Sequence, residues 1–148
     1  MTREEDNGLY TKYSDINKMK KEDLNNRCKI KRESTCDLFI SIHQNFFEQS
    51  DCRGPQVWCS RNEKSINLAH LIQENLNTDL SYNKRAVMEA NDAYKILRCY
   101  TDIPSVIIEC GFITNPEEET KLKKEDYQSK IADSIVESIN EYFEITKG

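Results

Sequence analysis

Glycine and proline are scarce in this sequence: its 148 residues include only 4 glycines and 3 prolines. A sandwich or barrel of many short strands needs such residues at each reversal, which argues against an all-β fold. Long apolar runs are missing too, since no stretch approaches the roughly 18 residues that cross a bilayer. Positive charge is in deficit, with 21 Lys plus Arg against 26 Asp plus Glu and a net charge of -5. That balance disfavours nucleic acid or an anionic membrane surface as the partner. The opening Met1-Thr2-Arg3-Glu4-Glu5-Asp6 is charged from its third residue and does not read as a signal peptide. No C-x-x-C, H-E-x-x-H, P-loop, G-x-G-x-x-G or G-x-S-x-G motif occurs.

What is present is enough for one packed domain over residues 1–148. Apolar residues make up 37% and charged residues 32%, but the apolar ones come in runs, which disordered chains lack. Cys28, Cys36, Cys52, Cys59, Cys99 and Cys110 are expected as mostly buried free thiols, packing as small hydrophobes. A disulfide framework is the lesser alternative, because a chain of this length needs no staples.

Residues 1–20 read as an exposed loop, followed by a helix over 21–32 with Leu24 and Cys28 on one stripe. The short apolar run 36–42 suits a strand covered on both faces. Gln56 to Ser60 is a second short strand, and 65–77 a helix with Ile66, Ala69, Ile72 and Leu76 on one side. Residues 86–100 read as helical or mixed, 105–108 as the cleanest strand, and Gly111 with Asn115-Pro116 as a loop. The last helix, 127–143, carries Tyr127, Ile131, Ile135, Ile139 and Phe143 at i+4 spacing, with Ala132 and Val136 widening the stripe. Strands alternating with helices predict an α/β fold with a mostly parallel sheet.

Two ionisable residues end apolar strands. The run Leu38 to Ile42 leads into His43, and Val106 to Ile108 leads into Glu109. Ligands of open α/β sheets bind beyond the C-terminal strand ends, so both are expected on one rim. A histidine there can hold a metal or act as a base, and a carboxylate can take a proton. The alternatives are a hydrogen-bonded structural His43 and a Glu109 paired with Arg27 or Arg98. His70, beside the apolar stripe of its helix, is expected at the surface or boundary, and Trp58 in packing.

The residues Thr2-Arg3, Leu24-x-x-Arg27, Asp37-Leu38-Phe39-Ile40-Ser41-Ile42-His43-Gln44-Asn45, Leu68-Ala69 and Glu109-Cys110-Gly111-Phe112-Ile113-Thr114-Asn115-Pro116-x-Glu118 occur in this order. Together they resemble the zinc-dependent N-acetylmuramoyl-L-alanine amidases of the Amidase_3 family. Residues 54–58 and 83–100 further resemble its sporulation-type, spore-cortex branch. The resemblance implies hydrolysis of the amide between N-acetylmuramic acid and the L-alanine of the peptidoglycan stem. It implies Zn2+ as cofactor, His43 as a metal ligand, Glu109 as the catalytic glutamate and Asn45 beside the cleft. It also implies action outside the cytoplasmic membrane, at the cell wall or spore cortex.

The family's opening strand, its His-Gly-Gly segment with the first zinc histidine, and its glutamate ligand have no counterpart here. The expectation is therefore an amidase catalytic-domain fold lacking its N-terminal strand or strands and first helix. An incomplete zinc site, uncovered sheet edge and poor activity would result. A non-catalytic peptidoglycan-binding or regulatory relative is the alternative, and a site completed by another chain is a third reading.

Overall fold

In a computed structural model, residues 1–147 are described except 3, 4, 6, 13 and 81–84. Arg3 and the first two residues of the segment 83–100 thus lie outside the described residues. The elements in order are α1 (Ile16–Glu33), β1 (Phe39–Asn45), β2 (Gln56–Cys59), α2 (Glu63–Asp79), β3 (Met88–Glu89), α3 (Lys95–Arg98), β4 (Ser105–Phe112), α4 (Pro116–Leu122) and α5 (Glu125–Lys147). The strands form one sheet in the order β1-β4-β2-β3. β1 with β4 and β2 with β3 are parallel, while β2 with β4 is antiparallel. The expected α/β class with a mixed, mostly parallel sheet is what is observed.

Helices cover both faces. On one, Val57, Cys59, Val106 and Ile108 pack under Leu68, Ile72 and Leu76 of α2 and Ile131 and Ile135 of α5. On the other, Phe39 and Ile107 meet Cys28 of α1 with Ile96 and Leu97 of α3. Alternation along each strand sorts neighbouring residues into these two layers. β4 is buried at every position, as a central strand with helices on both sides should be.

Local chemistry explains where the boundaries differ from expectation. α1 begins at Ile16, inside the segment read as loop, because the Asp15 carboxylate accepts the N–H groups of Asn17 and Lys18. An N-cap carboxylate satisfies otherwise orphaned first-turn donors. β4 runs through Gly111 to Phe112, and the Asn115-Pro116 pair opens α4 rather than a loop. Asn115 caps it by accepting from Glu117 and Glu118, with proline in the first turn where no N–H is needed. The 86–100 segment holds a two-residue strand and a four-residue helix.

Two further expectations are corrected. β1 lies at the sheet edge and is not covered on both faces: Ile42 is 64% exposed. In α5, Ala132 and Val136 face solvent, and the stripe is widened instead by Ser134, Ser138 and Tyr142. Ser138 accepts from Asn75 of α2 at 3.0 Å and donates to the Ser134 carbonyl at 2.7 Å. Small hydroxyl residues let α2 and α5 approach; the Ser138 hydroxyl is paired across the contact, whereas Ser134 Oγ is buried without a hydrogen-bond partner.

Candidate active site

His43 and Glu109 stand opposite each other in the β1–β4 register, and Gln56 stands opposite Glu109 in the β2–β4 register. Register partners project to the same face. The three side chains therefore form one row across β1, β4 and β2, on the face that α1 and α3 cover. In the next row down, Ser41, Ile107 and Trp58 are partners. Neither ionisable residue lies past its strand end as expected. β1 continues to Asn45 and β4 to Phe112, so both side chains are aimed by strand backbone rather than by a loop.

Glu109 is 7% exposed, and its Oε2 is buried without a hydrogen-bond partner. Burial pushes its carboxyl above the ordinary glutamate range, since desolvation disfavours the charged form. Neither arginine considered for it serves: Arg27 pairs with Asp23 at 2.6 Å, and Arg98 is exposed. An unpaired buried carboxylate is costly and is a common mark of a working acid or base.

His43 is held from below. Ser41 Oγ lies 2.7 Å from its Nε2. Burial first, and the Arg27 charge second, push the imidazole below the ordinary histidine range. The ring is thus neutral at pH 7, with Nδ1 free either as a lone pair or as an N–H donor, depending on tautomer. Asn45 is half-buried, and its carbonyl accepts the Ile113 N–H at 2.9 Å. His70 is exposed on α2 and takes no part in the row.

The register slips just above this row. From His43 to Asn45 is two residues on β1, but their partners Glu109 and Phe112 are three apart on β4. The extra residue is a bulge, and it flips the later residues of β4 to the other face. Cys110 packs in the α5-side core, and a side chain at Gly111 would point at Glu118 and Leu122. Phe112 returns to the Glu109 face, where its ring lies 4.8 Å beneath the Arg85 guanidinium.

Glu118 secures the bulge. Its carboxylate accepts the Gly54 and Phe112 N–H groups, each at 2.8 Å. Asn115 Nδ2 adds a bond to the Cys52 carbonyl at 3.2 Å. The Glu109 to Glu118 motif thus holds an unpartnered buried carboxyl at one end and a hydrogen-bonded, structural one at the other.

Sequence patterns assigned no site role to Arg85, Gln56, Phe112 or Tyr94. Tyr94 meets Trp58 edge-on at 5.3 Å. Its hydroxyl is pushed up by burial and then by the Glu109 charge. A cavity of about 460 Å³ opens on the opposite side of β1, lined by Ile42, His43, Cys110, Leu122, Ile131 and Ile135 among others. Of the row only His43 borders this space; Glu109 and Gln56 do not line it.

A catalytic zinc normally takes three protein ligands. Among the described residues no three His, Cys, Asp or Glu side chains come together to hold a metal. His43 and Glu109 offer one imidazole and one carboxylate, and these two do not fit a complete zinc site. Further donors would have to come from outside the described residues.

The sequence matches the family described as N-acetylmuramoyl-L-alanine amidase over residues 1–141. It is 35% identical to the germination-specific N-acetylmuramoyl-L-alanine amidase of Bacillus subtilis (strain 168), over 97% of this chain and 60% of that protein. The chain therefore spans about three fifths of that relative's length. The structure of the CwlD amidase from Clostridioides difficile, in complex with the GerS lipoprotein, superposes with a TM-score of 0.91. Identity there is 35%, over 97% of this chain and 74% of that one. An N-acetylmuramoyl-L-alanine amidase from Clostridium difficile 630 superposes at 0.76 with 29% identity, covering 82% of this chain and 65% of that one.

Proposed function

The chain belongs to the N-acetylmuramoyl-L-alanine amidase family, Amidase_3, and from that premise we propose that it hydrolyses the amide joining N-acetylmuramic acid to the L-alanine of the peptidoglycan stem. The observation that supports this is the row His43–Glu109 on neighbouring strands, with a desolvated, unpaired carboxylate at its centre.

Glu109 is the general base in this reading. Its carboxylate takes a proton from water as the oxygen attacks the amide carbon. The same proton then passes to the alanine nitrogen as the carbon–nitrogen bond breaks. A carboxyl raised toward neutrality suits both transfers. His43, neutral and oriented by Ser41, borders the carbonyl side, and Asn45 shapes the cleft above it. Because the described donors do not complete a zinc site, no step here runs through the metal. His43 is the donor this chain would contribute to one.

Peptidoglycan is the proposed substrate, cell wall or spore cortex the proposed place of action, and a protein partner is proposed by analogy with the GerS complex of the relative. Among the described residues no helix is long and apolar enough to cross a membrane.

The test is to incubate the purified chain with defined muropeptides, with and without added zinc, and quantify newly freed L-alanine amino groups. Turnover that vanishes in Glu109→Gln supports the reading. Turnover unaffected by that change overturns Glu109 as base. The incomplete donor set favours one second reading, a non-catalytic peptidoglycan-binding relative. It predicts muropeptide binding with no amine release at any zinc concentration.

A further inference from the structure

We infer that Arg85 is a carboxylate-binding subsite, placed beside Glu109 to grip an acidic group on the peptide side of the substrate; this rests on the muramoyl-peptide reading above. Arg85 sits in the irregular segment before β3, where no catalytic motif would direct attention. Its guanidinium is nevertheless fixed on three sides. Nε donates to the Arg53 carbonyl at 2.8 Å, Nη1 donates to Gln56 Oε1 at 3.1 Å, and the Phe112 ring lies 4.8 Å below.

Those anchors tie it to the catalytic row. Gln56 is the register partner of Glu109, and it is itself held by donating Nε2 to the Ala86 carbonyl at 2.6 Å. Phe112 reaches Arg85 only because the β4 bulge returns it to the Glu109 face. The fold has thus spent a bulge, an aromatic ring and a buried amide on orienting one cation.

The cation has no carboxylate partner among the described residues; the ion pairs there join Arg27, Arg32, Arg53 and Lys123 to acids instead. Glu109 does not neutralise it either: no ion pair joins the two among the described residues, and Glu109 Oε2 has no hydrogen-bond partner. A guanidinium has five N–H donors. Two are used, so one on Nη1 and both on Nη2 remain, and the paired terminal N–H groups match the two oxygens of a carboxylate. A rigid, half-buried arginine loses little entropy on binding. An acidic peptide residue close to the scissile alanine supplies such a group, and a fully amidated peptide does not.

The experiment is calorimetric titration of the full chain, in wild-type and Glu109→Gln form so that the ligand stays intact in one arm. The probes are a muramoyl dipeptide with free carboxylates and the same molecule with both converted to carboxamides. The acid is expected to bind at least tenfold more tightly. Arg85→Gln is expected to bring the acid down to the amide's affinity while leaving the amide unchanged, and Arg85→Lys to restore part of the preference. A variant that merely loosened the fold would weaken both ligands together. Equal binding of acid and amide by the wild type, or a preference that survives Arg85→Gln, overturns the subsite while leaving the amidase reading intact. Binding of neither probe overturns both.

Discussion

His43 on β1 and Glu109 on β4 are register partners on parallel strands. Their separation is therefore set by hydrogen-bonded backbone rather than by loops, a more exact way to hold two side chains in fixed relation. One partner is open to solvent and the other buried, so the pair spans the boundary between cleft and core.

Glu109→Gln keeps shape and loses the base. Under the proposed mechanism, amine release from muropeptides should fall about 100-fold or more. Stability should move the other way. The folded carboxyl has a raised pKa, so the folded state holds its proton more tightly than the unfolded chain. Below about pH 4 both states are protonated and the group costs nothing. As pH rises the unfolded chain ionises first and stability falls, until the folded group ionises too and the penalty is complete. Glu109→Gln should therefore melt a few degrees higher at pH 7, with the gain of about 2–4 °C per kcal/mol shrinking to nothing near pH 4. Thermal melts at both pH values decide it; an unchanged gap would mean that Glu109 is not desolvated.

Glu118→Ala should be among the most damaging single changes. It strips the acceptors from two buried N–H groups, those of Gly54 and Phe112. Charge-assisted bonds are worth about 1.5–3 kcal/mol each, so a loss of about 3 kcal/mol or more is expected by urea denaturation. Glu118→Gln keeps one acceptor oxygen and should lose about half as much. Because Glu118 holds the bulge that turns Phe112, both variants should also weaken any acid-over-amide preference. Wild-type stability in Glu118→Ala would mean that this carboxylate does not clamp the bulge.

The fold and the site were legible in the sequence to different degrees. Apolar periodicity placed α2, α5, β2 and the first part of β4, because those elements bury a continuous face. It failed at the edges of elements, where single polar residues decide: Asp15 starts α1 and Asn115 starts α4. His43 and Glu109 could be paired because each came directly after an apolar run. Arg85 could not, because its position depends on a bulge and on a long-range contact with Phe112. A bulge leaves only a weak trace, here Gly111 inside the β4 segment.

Lys31 predicts how the wall beneath the row is held. Its side chain is fully buried, and Nζ donates to the carbonyls of Ile96 and Cys99 at 3.2 and 2.6 Å, which locks α3 onto α1. Burial pulls the ammonium below the ordinary lysine range. Lys31→Ala removes both bonds and leaves a void, so a loss of about 3 kcal/mol is expected. Hydrogen exchange should show faster opening at 96–99, while α2 and α5, on the far face, stay protected until global unfolding. Uniform acceleration across the chain would mean that α3 is not a separately held unit.

The thiols should divide by face and depth. All six cysteines are free; Cys28, Cys59 and Cys110 are buried, whereas Cys36, Cys52 and Cys99 are partly exposed. Burial, with a hydrogen bond to Cys99, pushes the Cys28 thiol up to about 12, and burial pushes Cys59 and Cys110 each to about 11. The thiolate is the nucleophile, and at pH 8 a thiol near 11 is ionised in only about one molecule in a thousand. A disulfide reagent at pH 8 should therefore titrate three thiols quickly and all six in denaturant. Fewer than six in denaturant would mean a disulfide; six at once in the native state would mean that the core opens freely. Cys28 lies on the α1–α3 face, whereas Cys59 and Cys110 lie on the α2–α5 face. Their labelling rates can therefore reveal whether the two layers open separately. In Lys31→Ala, Cys28 should become fast while Cys59 and Cys110 remain slow, because the lost bonds clamp only the first layer.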